Sequence, residues 1–141
     1  MSIQLDGGSL TVDHVLRIAR HHERVDISEG ARMNLIKARE FVDRKVKESK
    51  VIYGITTGFG SFKNVSIDIE QTKQLQRNLI MSHSIGVGDP LPEECVRASI
   101  LVRVNSLLRG YSGVRPVVVD TLVALLNKDV YPFVPSKGSV G

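Results

Sequence analysis

"SEGARMNLIKAREFVDRKVKES", Ser28 to Ser49, decides the fold class. Ala31, Leu35, Ala38, Val42 and Val46 recur at three- and four-residue steps, while Arg32, Lys37, Glu40, Lys47 and Glu48 fall mainly between them. That is the period of an amphipathic helix with one apolar stripe. Ser28 is placed to cap its amino end, and the pattern runs out near Ser49.

The same kind of pattern continues outward in both directions. Upstream, Thr11 is an N-cap for "VDHVLRIARHH", with Leu10 and Val15 placed as a hydrophobic staple, and this helix extends to about His22. Downstream, a third helix begins after "NVSID", carries Leu75, Leu79 and His83 on one line, and stops at "GVGDP", where Gly86, Gly88 and Pro90 break it. Pro92 suits the first turn of a fourth, with Glu93 and Glu94 complementing the positive end of its dipole. This helix continues through "CVRASILVRVNSLL" to Arg109 and Gly110, is apolar on most sides and reads as deeply buried. Pro116 opens a fifth, "VVVDTLVALLNK", although its three valines leave a strand open. The final "DVYPFVPSKGSVG" has two prolines, two glycines and no periodicity, which predicts loop. Strand signals are too few for a sheet, and neither an internal repeat nor a low-complexity segment interrupts the chain. The expectation is an all-α chain forming a single unit over residues 1–141.

Composition narrows the function. At 141 residues and 42% hydrophobic, the chain has enough apolar material for one globular core. No apolar run reaches the roughly 18 residues of a membrane span. "MSIQLDGGSL" lacks the charged-then-apolar layout of a signal peptide, so a cytoplasmic protein is expected. A lone cysteine, Cys95, excludes an internal disulfide and a Cys-rich zinc site; lying in an apolar helical pattern, it reads as a core residue. The net charge of +4 and pI near 9.4 raise nucleic acid or an anionic substrate as partners. The main basic run, "DRKVKESK", is interrupted by acids and has no aromatic on which a base could stack, so it reads as a solvated helix face and not a nucleic-acid site. Arg103, set in an apolar helix, reads as a buried ion-pair partner.

Two features point to chemistry. "VIYGITTGFGS", Val51 to Ser61, gathers three glycines around a tyrosine. It fails as a dinucleotide fingerprint, because Lys63 stands where the third glycine should be, and as a P-loop, because no Gly-Lys-Ser/Thr follows. What remains is a loop where Gly54, Gly58 and Gly60 permit positive φ or close backbone approach around Tyr53, Thr56 and Thr57, or else an ordinary surface loop. His83 is the other feature. Its place on the Leu75–Leu79 line makes a core histidine bonded to a carbonyl the default, with ligand binding as the alternative. No carboxylate or second histidine stands at metal-ligand spacing on that helix face, so no metal is expected.

"YGITTGFG", "QLQRNLIMSHSIGVGDP", "RVNSLLRGYSGVRP" and "VYPFVPSKGSVG", in this order and spacing, resemble the aromatic amino acid ammonia-lyase and aminomutase family over essentially the whole chain. The resemblance implies the amino-terminal part of a longer, mostly helical polypeptide whose long helices join a central bundle. It implies a homotetramer with active sites shared between subunits, and no nucleic-acid or membrane partner. It also implies an electrophile, 4-methylidene-imidazol-5-one (MIO), formed autocatalytically from an Ala-Ser-Gly that follows Gly141 in the family. Tyr53 would be the catalytic base, and His83 and Gly60 would contact the substrate. The expected reaction is non-oxidative deamination of L-histidine to trans-urocanate and ammonia. Tyrosine deamination, a tyrosine 2,3-aminomutase and, from another class, a stand-alone helical binding module are the alternatives. An ordinary tyrosine has a pKa of about 10, so a base at Tyr53 needs backbone N–H groups, helix dipoles or cations to stabilise its phenolate.

Overall fold

The computed structural model describes residues 2–48 and 69–138. Its elements are β1 (Ile3–Leu5), α1 (Val12–His21), β2 (Val25–Ile27), α2 (Glu29–Lys47), α3 (Ile69–His83), β3 (Gly86–Pro90), α4 (Glu93–Leu108), α5 (Pro116–Asn127) and β4 (Pro135–Gly138). The five helices fall where the periodicity predicts them, and the mostly helical class stands. The valines of α5 are helical, opened by Pro116 at the first turn. The chain divides into two compact units, Met1–Phe41 with Pro90–Val134, and Val42–Asp89 with Pro135–Gly141.

The first unit is built on caps and one core. Thr11 Oγ1 accepts from the His14 N–H at 3.2 Å, and His14 Nδ1 accepts in return from the Thr11 N–H at 3.4 Å, a capping box with histidine in the usual Glu position. Ser28 Oγ likewise accepts from Ala31 N–H at the start of α2. Ile18, Val25, Leu35, Leu101, Val104 and Leu108 form the centre of the buried cluster, with Leu10 and Val15 packed against its edge. Strands β1 and β2 pair in parallel, Ile3 with Val25 and Leu5 with Ile27, and α1 is the crossover between them. Ile3 and Leu5 face the core and Gln4 faces out, the period-two pattern of a half-buried strand. At the close of α4, Gly110 has φ +78°, and a Cβ there would come within 3.2 Å of the Asn34 carbonyl oxygen. Only glycine serves at that turn.

A buried arginine ties the helix ends together. Arg97 is 1% exposed; its Nη2 donates to the Ile18 carbonyl at 3.0 Å and its Nη1 to the Leu126 carbonyl at 3.3 Å and to Asp129 Oδ1 at 2.8 Å. Ile18 and Leu126 lie in the last turns of α1 and α5, whose carbonyls have no partner within their own helices and carry the negative ends of the dipoles. One cation thus satisfies two helix termini. Asn127 performs a related task at β2, accepting from Val25 N–H at 2.9 Å and donating to Val25 carbonyl at 2.8 Å.

Several expectations are corrected. Two short two-stranded sheets, β1 with β2 and β3 with β4, form where no sheet was expected, and part of the carboxyl-terminal segment read as loop is strand β4. Pro92 is the N-cap of α4, one position before its first turn. Helix α4 is buried on one side only. Arg97, Leu101, Val104 and Leu108 follow one stripe into the core, whereas Cys95, Ser99, Val102 and Ser106 follow the opposite one and are exposed. Cys95 is therefore a surface residue, and the buried arginine is Arg97, with Arg103 exposed. Ala98, Ser99, Val102, Arg103 and Ser106 line a shallow open depression on that outer side.

Candidate active site

The second unit holds His83, the expected substrate contact that lies among the described residues. Helix α3 ends on Ser82 and His83, and Ser84 follows directly. The carbonyls of a last helical turn lack intrahelical partners, and hydroxyls there bond back onto them. Ser82 Oγ donates to the Leu79 carbonyl at 2.9 Å, and Ser84 Oγ to the Ile80 carbonyl at 2.6 Å. His83 folds its ring over the same turn, with Nδ1 2.9 Å from the Leu79 oxygen and 2.9 Å from Ser82 Oγ. A histidine bonded to a carbonyl was the default reading. The carbonyl is present, but the core is not: His83 is exposed, and Leu79 beside it is only half-buried. Ile80, Met81, Ile85 and Val87, close to His83 in sequence, are each at least 64% exposed.

The next segment turns the chain toward β4. Strand β3 begins three residues beyond His83, a reach of at most about 11 Å, and pairs with β4. The pairing needs glycine. A Cβ on Gly86 would stand 2.9 Å from Pro135 Cγ, and one on Gly88, whose φ is +93°, would stand 2.7 Å from Ser136 Oγ. The glycines that end the helix are also those that let β4 lie close. Tyr53 and Gly60 of the Gly-rich loop, with Gly54, Thr56, Thr57 and Gly58, lie outside the described residues, as does Gly141. Of the expected site residues the structure describes His83, three residues before the start of β3. The back-bonding of Ser82 was missed in the sequence, though a Ser-His-Ser run at a helix end is its signal.

Comparison with known proteins gives this arrangement its class. The family described as aromatic amino acid lyase matches residues 10–141, and the chain belongs to that family. A histidine ammonia-lyase of Caldanaerobacter subterraneus subsp. tengcongensis is 54% identical over 139 residues, covering 99% of this chain and 27% of that protein. The histidine ammonia-lyase of Streptococcus sanguinis is 52% identical with the same coverage. Among solved structures, histidine ammonia-lyase from Trypanosoma cruzi matches with a TM-score of 0.90 and 37% identity, over 99% of this chain and 27% of that one. Tyrosine aminomutase from Streptomyces globisporus matches with a TM-score of 0.91 and 35% identity, over 99% and 26%. The chain thus spans little more than a quarter of the length of the relatives it matches.

Proposed function

We propose that the polypeptide carrying this chain is a cytoplasmic histidine ammonia-lyase that deaminates L-histidine to trans-urocanate and ammonia. The observation that carries the reading is the exposed imidazole of His83, set on a helix end and followed at once by the glycine-dependent pairing of β3 with β4. The identity of 54% to a histidine ammonia-lyase supports the substrate class.

The reaction needs three things: a leaving group made competent, a base at the β-carbon and a held ring. When present, a 4-methylidene-imidazol-5-one formed from an Ala-Ser-Gly beyond Gly141 supplies the first, drawing electrons from the amine so that ammonia can depart. Tyr53 takes the β-proton as phenolate, the C–H electrons become the double bond of urocanate, and the C–N electrons leave with ammonia. Gly60 offers backbone approach to the substrate, and His83 hydrogen-bonds its ring. No metal takes part in this scheme. The exposed outer side of α4, with its small side chains around Val102, supports a homotetramer, because such a surface lets helices of other subunits approach closely.

The test is a product assay of the full polypeptide with histidine, tyrosine and phenylalanine in parallel, with Tyr53→Phe alongside. Urocanate as the main product supports the reading, and coumarate or β-tyrosine overturns it in favour of the tyrosine enzymes. Tyr53→Phe should lower kcat by at least about 1,000-fold with the prosthetic-group absorbance intact. Activity near that of the unsubstituted enzyme removes the base assignment.

A further inference from the structure

The last turn of α3 sets the direction of the hydrogen bond that His83 can make. A carbonyl oxygen only accepts, so the 2.9 Å contact between His83 Nδ1 and the Leu79 oxygen is a hydrogen bond only when Nδ1 carries the proton. Ser82 reinforces this. With its hydroxyl proton on the Leu79 carbonyl at 2.9 Å, Ser82 Oγ turns a lone pair toward Nδ1, also at 2.9 Å. The opposite tautomer would place the Nδ1 lone pair against the lone pairs of Leu79 at hydrogen-bond distance, a repulsive arrangement. In the neutral ring, a proton on Nδ1 leaves Nε2 as an acceptor.

We propose that Ser82 is a positioning residue that, with the Leu79 carbonyl, holds His83 as the Nδ1–H tautomer, so that Nε2 accepts a hydrogen bond and selects substrates whose ring presents an N–H or O–H donor. The inference rests on the reading of His83 as the ring contact and deepens it. An imidazole N–H and a phenol O–H both satisfy Nε2, whereas a phenyl ring leaves it unpaired and a pyridine nitrogen opposes it lone pair to lone pair. A site built around a fixed acceptor rejects ligands that lack the matching donor more strongly than an apolar pocket rejects a change of size.

The experiment compares L-histidine with β-(4-pyridyl)alanine as substrates of the full polypeptide, at mildly alkaline pH where the pyridine carries no proton. The readout is the ratio of their KM values, with kcat followed separately. Ser82→Ala removes one of the two acceptors that favour the Nδ1–H tautomer and leaves the Leu79 carbonyl as the other. It should narrow the KM ratio about tenfold, the worth of one net hydrogen bond, with little change in kcat. Ser82→Thr keeps the hydroxyl and should keep the ratio. If Ser82→Ala does not assemble, His83→Gln gives the same test without touching Ser82, since its amide can turn either oxygen or nitrogen outward, and it should narrow the ratio likewise. A ratio unmoved by Ser82→Ala, or by His83→Gln where that variant stands in, overturns the tautomer proposal while His83→Leu still impairs histidine use. A ratio unmoved by His83→Leu overturns the underlying ring-contact reading as well.

Discussion

The two units of this chain use polar groups in opposite ways. In the first, Arg97 and Asn127 spend their hydrogen-bonding capacity on backbone groups of neighbouring elements, and Arg97 is buried at 1% exposure to do so. In the second, Ser82 and His83 bond within their own helical turn and leave one edge of an exposed imidazole turned away from it. The two terminal nitrogens of Arg97 are spent on the fold, and only its buried Nε is left without a partner. Under the proposed function, the imidazole is oriented by its own turn and left with capacity for a ligand.

The contrast is open to attack first at its most buried point. Arg97→Leu removes the cation, strands the Ile18 carbonyl and leaves the Leu126 carbonyl with the long 3.4 Å bond from the Asp129 N–H; an orphaned buried carbonyl costs about 1–3 kcal/mol. The full polypeptide should lose on the order of 3 kcal/mol, read as a lowered unfolding midpoint, while any active protein that remains keeps its KM for histidine. A raised KM at unchanged stability would erase the distinction between the units. Asn127→Ala is the smaller version of the same attack. It uncaps the Val25 N–H and carbonyl at the strand edge and should cost about 1–2 kcal/mol, again with KM unmoved.

Acid provides the mildest probe. The backbone N–H groups of Ser9 and Gly8 hold the Asp6 carboxyl down from an ordinary 3.8 to about 2. Hydrogen bonding from His22 lowers Asp129, and Arg17 and Arg20 lower Glu23 and Glu94. All four acids sit in the first unit. A depressed carboxylate stabilises the fold above its unfolded pKa, and that contribution is lost as pH falls through the folded value. The unfolding midpoint should therefore hold near neutrality and drop as pH falls from about 4 toward 2. Asp6→Asn should soften the drop; an unchanged acid limb would remove Asp6 from the account.

The sequence disclosed the helices because each carries its own period and cap. Thr11, Ser28 and Pro116 mark their starts, and Leu35 and Leu101 lie on their buried stripes. It disclosed the strands poorly. β1 and β2 are three residues each, and β3 and β4, apart from Val87, are built of glycine, proline and polar residues that become strand only by pairing with each other. Arg97 was legible in principle, since it falls on the Leu101–Val104–Leu108 stripe and Arg103 does not. What local pattern could not supply is the pair of helix ends waiting at that depth. For the site, the resemblance singled out His83, and the structure adds its exposure and its bond to Leu79. The Gly-rich loop carrying Tyr53 rests on sequence, because its residues lie outside those described.

The most direct test of the central claim, that the end of α3 serves the substrate and not the fold, is His83→Leu in the full polypeptide. Histidine turnover and the unfolding midpoint are measured on the same preparation. The account predicts that kcat/KM for histidine falls by about 100-fold or more while the midpoint moves by no more than about 2 °C. Unchanged kinetics, or a loss of activity that only follows a collapse in stability, would contradict it.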